Sequence, residues 1–255
     1  DGAFYRVEKE EIRTYNDPMA LGYPGMANFS SIASLSQSMF LKKMGFDYYA
    51  TWCTYSGSTV FSDALLGIRY IISDSPLNHY QQVSDGIFEN PYALPIAFYS
   101  AKDFTVYPAI SPKDDPIGLQ NSILNSITGL EHAWFTEADL NPADFTNLEA
   151  GESDETGIIY TRMDPDLPAE IRYQFTIPDD QPYVLFIPNV SLNYNIWLND
   201  EQIFDQNQNY TPFLVNLDAY QKGDSLTLRI NLGKDRQYHD EARLYSFDLE
   251  TFSKS

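Results

Sequence analysis

Apolar and polar positions change period several times along the first hundred residues, and each change predicts an element. Tyr5-Arg6-Val7-Glu8-Lys9 and Glu11-Ile12-Arg13 alternate like a strand with one wet face, and Asn16-Asp17-Pro18 ends that run. Beyond the turn formers Gly22-Tyr23-Pro24-Gly25, the positions of Ile32, Leu35, Met39 and Phe40 predict one apolar helix face. Ser30 or Ser31 supplies its cap, Lys42 and Lys43 sit where the helix dipole favours cations, and Gly45 suits a left-handed stop. Ser62-Asp63 predicts the cap of a short helix through Leu65 and Leu66 that ends at Gly67. The β-branched and aromatic run from Ile68 that follows, inside Leu65-Leu66-Gly67-Ile68-Arg69-Tyr70-Ile71-Ile72-Ser73, predicts a buried strand that others must cover. Pro91 and Pro95 forbid a helix and fix an extended path, with strands predicted over 96–99 and 104–107. Residues 1–113 therefore read as a layered α/β domain.

The pattern then changes twice. Ile117, Leu119, Ile123, Leu124, Ile127 and Leu130 describe an amphipathic helix with Pro116 in its first turn and a stop near Gly129. The remainder of 114–156 is acidic and rich in breakers, which predicts a helical and acidic connector. From Gly157 come short apolar or alternating runs over 157–162, 169–177, 183–188, 194–198, 213–216 and 225–232, with one more over 245–252. Asp179-Asp180, Asn199-Asp200 and Lys222-Gly223-Asp224 part them, and this spacing predicts an antiparallel, jelly-roll-like β-sandwich over 157–255. The fold class expected is thus α+β, a layered α/β domain followed by a β-sandwich.

Charge sharpens the division. Residues 1–113 carry 8 basic and 11 acidic side chains, a net of -3, whereas 114–255 carry 8 and 25, a net of -17. Such a surface repels nucleic acid, so no nucleic-acid partner is expected. No apolar run approaches the roughly 20 residues of a membrane span, and the first residues have no signal-peptide pattern. Because the chain begins with Asp1 and not methionine, it reads as a piece of a longer precursor.

Candidate chemistry is sparse. The lone Cys53 beside Trp52 reads as a small buried hydrophobe, and His79, His132 and His239 lack metal-ligand spacing, so neither a metal nor a cofactor is expected. Between 114 and 170, 13 acids face the single basic Arg162, which could gather a cation such as calcium, but no calcium-loop pattern is present and a solvated connector is the simpler reading. Trp52 with Tyr48, Tyr49 and Tyr55, and Trp197 with Tyr194, are either sugar platforms or core and loop-filling aromatics. Paired acids such as Asp164 and Asp166, or Asp179 and Asp180, stand in turn sequences and do not by themselves make a glycosidase, so no catalytic residue is assigned. Three sites, at Asn28, Asn189 and Asn209, match the acceptor pattern for glycosylation, a match that a bacterial origin would make accidental.

The order Tyr5-Arg6-Val7-Glu8, Asn16-Asp17-Pro18, Gly22-Tyr23, Ser30-Ser31, Leu65 to Ile72 and Glu89-Asn90-Pro91-Tyr92-Ala93-Leu94-Pro95 resembles the extracytoplasmic portion of the YfhO family of bacterial membrane proteins, most clearly over residues 4–130. That resemblance implies a polytopic parent whose membrane half is of the GT-C glycosyltransferase type. Such a parent would add sugars to cell-wall polymers such as lipoteichoic acid from a polyprenyl-phosphate-linked donor. The catalytic carboxylate of that type lies in the membrane part, so the fragment itself is expected to be non-catalytic and to help dock the acceptor on the outer face of the cytoplasmic membrane. Its implied partners are the membrane portion of the same chain and a cell-wall glycopolymer. Ile96 stands where related motifs carry a basic residue, so no phosphate contact is carried over there. Because the second half repels polyanions, acceptor contact is expected on the first domain, at Asn16, Asp17, Tyr23, Arg69, Asn90 and Tyr92. Each has a structural alternative: Asn16 and Asn90 neighbour prolines and organise turns, and Arg69 pairs with a carboxylate. A stand-alone surface module that binds carbohydrate or protein is the competing expectation.

Overall fold

A computed structural model describes residues 4–11, 13–32, 34–49, 51–95, 97–101, 115–154, 157–188, 190–191, 193–204, 213–239 and 242–255. The chain opens with β1 (Arg6–Lys9), α1 (Asp17–Leu21), β2 (Asn28–Phe29), α2 (Leu35–Met44), β3 (Tyr48–Tyr49) and β4 (Trp52–Cys53). It continues through α3 (Val60–Leu65), β5 (Ile68–Ile72), β6 (Gln81–Ser84), β7 (Ile87–Glu89) and α4 (Pro116–Thr128). Then come β8 (Phe135–Ala138), β9 (Pro142–Thr146), β10 (Leu148–Asp154), β11 (Gly157–Arg162), β12 (Glu170–Thr176), β13 (Tyr183–Ile187), β14 (Asn195–Leu198) and β15 (Glu201–Phe204). The last elements are β16 (Phe213–Asn216), β17 (Ser225–Asn231), β18 (Gln237–His239), β19 (Arg243–Phe247) and α5 (Leu249–Phe252). The structure is mostly β, with few helices.

Five sheets form, ordered β1-β5-β7-β6, β2-β4-β3, β10-β11-β18, β15-β14-β17-β12-β9 and β16-β13-β19-β8. Among the described strands β1 runs parallel to β5 and every other pairing is antiparallel. Strand β13 of the sheet β16-β13-β19-β8 is buried on both faces, which explains its unbroken run Tyr183-Val-Leu-Phe-Ile187. With a side-chain period of two, Val184 and Phe186 join one core with α2, α3, α4 and β5 residues, while Tyr183, Leu185 and Ile187 join a second core with β12, β14 and β17. One strand thus serves two cores.

Several predicted boundaries hold for the predicted reasons. Gly45 and Gly129 close α2 and α4 at φ 101° and 75°. Asp115 caps α4, its carboxylate accepting from the Gly118 N–H at 2.9 Å, with Pro116 next. Asn199 adopts φ 55° in the turn between β14 and β15.

Others move. α2 starts at Leu35 after Ser34, so Ser30 and Ser31 are not its cap and Ile32 lies outside the helix, solvent-exposed; its buried side is Leu41 and Met44. α3 starts one turn earlier than predicted: Thr59 caps it and Ser62 is the reciprocal partner, in a box where each hydroxyl accepts the other residue's N–H. Asn16-Asp17-Pro18 breaks the first strand and also starts α1, with proline in the first turn. The strand lies at Ile87–Glu89, not over 96–99, where the described residues 97–99 are irregular. Ile96, residues 104–107, Asn189 and Asn209 fall outside the described residues. The acidic stretch read as a solvated connector holds β8, β9 and β10, which pair with β19, β12 and β11. The run over 245–252 is a strand only to Phe247; Asp248 then caps α5, accepting from the Thr251 N–H at 2.9 Å.

Candidate functional site

A cavity of about 400 Å³ opens between the end of β1, the loop after β4, the loop after β5, and strands β15 and β16. Glu10, Glu11, Asp74 and Glu201 bring four carboxylates to it; Ser56, Ser58, Ser75, Gln202 and Asn216 bring hydroxyls and amides. Tyr55 and Tyr220 add aromatic surface, and Leu198, Leu214 and Val215 add an apolar floor. The loop carrying Ser56 and Ser58 is drawn in at Gly57, which has φ 88°. A Cβ there would stand 2.1 Å from the Gly45 carbonyl oxygen, so only glycine lets this loop approach the end of α2 so closely.

At the cavity wall the polar groups are fixed by hydrogen-bonded pairs, of which Asp63 with Tyr55 and Tyr80 is buried. Tyr55 donates its hydroxyl proton to Asp63 Oδ2 at 2.8 Å and Tyr80 donates to the same oxygen at 2.7 Å, while Oδ1 has no partner among the described residues. Burial pushes the Asp63 carboxyl up to about 8, against the two tyrosine hydrogen bonds, which favour the charged form. Glu10 accepts from the Ser73 hydroxyl. Burial raises its carboxyl, the Ser73 bond opposes this, and the charges of Asp218, Glu201 and Glu11 reinforce it. Beside the cavity, His79 joins the two halves. Its Nδ1 bonds Asp218 Oδ1, its Nε2 lies 2.9 Å from the Asp180 carbonyl, and Asn78 Nδ2 donates to the carbonyls of Asp218 and Tyr220 at 2.8 and 2.9 Å.

This arrangement offers many hydrogen-bond acceptors, several neutral donors and two aromatic faces, with negative potential throughout. Hydroxyl-rich ligands meet such a surface as donors; phosphate groups are repelled by it. Among the described residues no three His, Cys, Asp or Glu side chains gather as a metal-holding group, and no helix is long and apolar enough to cross a membrane.

None of the six residues singled out from sequence lines this cavity. Asn16, Asp17 and Tyr23 lie together around α1. Asn16 Oδ1 accepts from the Phe29 N–H at 2.8 Å, and Asp17 accepts from the N–H groups of Arg13 and Thr14 at 2.8 and 3.0 Å, which holds its carboxyl below the usual range. Burial, with the charges of Glu8 and Asp17, pushes the Tyr23 phenol up to about 12. Arg69, Asn90 and Tyr92 lie at the end of β5 and β7. Arg69 Nε donates to Glu89 at 3.0 Å, Asn90 Nδ2 donates to the Ile68 carbonyl at 2.9 Å and Asn90 Oδ1 accepts from the Tyr92 N–H at 2.9 Å. The Tyr92 ring lies 6.1 Å from that of Phe252. Cys53 is buried, its thiol pushed up to about 11 chiefly by that burial. Tyr194 is buried in the second core, and Trp197 lies under the Arg229 guanidinium at 5.3 Å.

The model of the family described as bacterial membrane protein YfhO matches residues 1–255. The chain belongs to this family. No protein of curated function matches it. Among solved structures, a YfhO chain of this sequence is similar to a family 35 carbohydrate binding module from Clostridium thermocellum at 11% identity and a TM-score of 0.28, over 42% of this chain and 98% of the module.

Proposed function

We propose that this YfhO chain stands on the outer face of the bacterial cytoplasmic membrane and holds a sugar-bearing acceptor for glycosyl transfer by the membrane portion of its parent protein. The acceptor in this reading is a cell-wall polymer of the lipoteichoic acid type, and the chain docks it without carrying out the chemistry. Two units share the task, a layered α/β unit and a β-sandwich. The observation that carries the reading is the cavity bounded by the end of β1, the loops after β4 and β5, and strands β15 and β16, where Ser56, Gln202 and Asn216 stand among four carboxylates. Carboxylates accept hydrogen bonds from sugar hydroxyls and repel phosphate, so the cavity suits the uncharged glycosyl part of such a polymer and not its phosphodiester backbone. Asn16, Asp17, Tyr23, Arg69, Asn90 and Tyr92 enter this reading as residues that shape the first unit, in which longer acceptor chains make their outer contacts.

Titration of the chain with neutral disaccharides and with lipoteichoic acid, followed by amide chemical shifts, tests this. Shifts are expected at Ser56, Gln202 and Asn216, with Ser56→Ala and Gln202→Ala each weakening binding about 3- to 10-fold, the range of one lost neutral hydrogen bond. Shifts confined to the surface around Trp197, or the absence of shifts with every saccharide, would sink the proposal.

A further inference from the structure

Several of the exposed apolar side chains of the first half lie on α1, β2 and the residues that flank them. Met19 and Leu21 on α1 are 79% and 63% exposed, and Ile32, just beyond β2, is 92% exposed. Tyr15, just before α1, and Phe29, on β2, are also exposed. The Phe29 N–H is held by Asn16 at the start of α1, Phe29 pairs with Trp52 across β2 and β4, and the Tyr15 ring stacks on Trp52 at 4.8 Å. Isolated exposed hydrophobics need no explanation, but five on two neighbouring elements, α1 and β2 with their flanks, are candidates for an interaction surface.

Charge selects the occupant. Residues 4–44 hold five basic side chains, Arg6, Lys9, Arg13, Lys42 and Lys43, against four acidic ones, and two of those acids, Glu8 and Asp17, are buried. Arg13 is exposed beside α1, and Lys9 lies near enough to help hold the Asp17 carboxyl down. The rest of the molecule is strongly acidic. Elsewhere, Met163 and Leu167 are also exposed, but they stand with Asp164 and Asp166, a setting that anionic lipid would repel.

We propose that Tyr15, Met19, Leu21, Phe29 and Ile32 form a membrane-contact surface that rests on an anionic lipid bilayer. The apolar side chains enter the boundary between headgroups and acyl chains while Lys9 and Arg13 meet lipid phosphates. The acidic half then faces away from the membrane. Membership of a membrane-protein family supports a bilayer within reach, and the inference does not depend on what the cavity holds.

Co-sedimentation with vesicles tests it. The chain is expected to pellet with vesicles of phosphatidylglycerol and phosphatidylcholine in equal parts, and at least about fivefold less with phosphatidylcholine alone, the worth of about one basic contact. The combined Met19→Ser, Leu21→Ser and Ile32→Ser variant should partition about tenfold less or lower, and Arg13→Glu about fivefold less. Because these side chains are exposed, melting temperatures should not move, and Met163→Ser with Leu167→Ser should bind like the parent chain. Failure to bind phosphatidylglycerol vesicles would overturn the proposal and leave a protein surface as the occupant. So would a triple variant that binds as well as the parent.

Discussion

At the scale of single residues, buried polar side chains hold the elements around the cavity in register. Gln120 of α4 is fully buried: its Oε1 accepts from the Thr59 hydroxyl at 2.6 Å and its Nε2 donates to the Met44 carbonyl at 2.9 Å. One amide therefore ties α4 to the cap of α3 and the end of α2. Gln120→Leu keeps most of the volume but leaves both partners unpaired, and it should lower unfolding stability by about 1–3 kcal/mol per stranded group in urea titrations. A loss below a few tenths would show that water replaces the amide. The sequence pattern placed Gln120 within a helix but gave no sign of this role, because its partners are 61 and 76 positions away. The same limit hid the cavity: Glu10 and Glu201 are brought together by tertiary structure alone, and Asp63 reads locally as a helix cap, not as a buried acceptor for two tyrosines. By contrast, the structural alternative for Asn90 was legible, since its Asx turn to Tyr92 is local chemistry, whereas Asn16 holds Phe29 13 positions on and Arg69 finds Glu89 20 positions on.

At the scale of elements, the stops and starts written in local chemistry were readable. Gly67, with φ 65°, hands α3 over to β5 where the composition changes, and β5 itself matches the β-branched run that predicted it. What escaped was the hairpin of β6 and β7. Gln81 to Ser84 is exposed along its whole length and has no apolar alternation, because an edge strand needs none. Asp85-Gly86, with Gly86 at φ 64°, was the available signal. α5 fell within the run over 245–252 read as strand, yet Phe252 leaves the sheet to pack on the first core. Its ring lies 5.3 Å from that of Phe247, 6.1 Å from that of Phe61 and 6.5 Å from that of Trp134. This short helix therefore fastens the last strand to α3 and to Tyr92. Phe252→Ala should cost about 2 kcal/mol, less than a fully buried phenylalanine, and the loss should appear as lower thermal stability of both halves together. Independent melting of one half with the other unchanged would refute that coupling.

For the whole molecule, pH is the variable that reports the junction. Burial pushes the carboxyls of Glu8 and Asp47 up to about 7 and that of Asp63 up to about 8, and in each a buried oxygen lacks a partner among the described residues. The folded protein therefore holds these protons more tightly than the unfolded chain, whose carboxylates lose them near pH 4. Between about pH 4 and 8 the native state binds more protons, so stability falls as pH rises. His79 acts in the same direction: burial disfavours its charge, but the Asp218 carboxylate outweighs this and raises it above the usual histidine range. Its contribution is full below the unfolded value near 6.5 and is lost as pH climbs through the folded one. Asp17 and Asp248, held low first by backbone hydrogen bonds from Arg13 and Thr251, contribute stability above the usual carboxylate range that is lost only in stronger acid. A net charge of -20 adds repulsion on the alkaline side. Thermal melts should thus show the chain more stable at pH 5 than at pH 8. Asp63→Asn keeps an acceptor for Tyr55 and Tyr80 but removes the titrating group, and it should flatten that slope. His79→Gln should flatten its upper part, above pH 6.5, while disturbing the contacts that His79 and Asn78 make with Asp218. A melting temperature that rises from pH 5 to 8 would contradict the protonated state of these buried carboxyls and the charged state of His79.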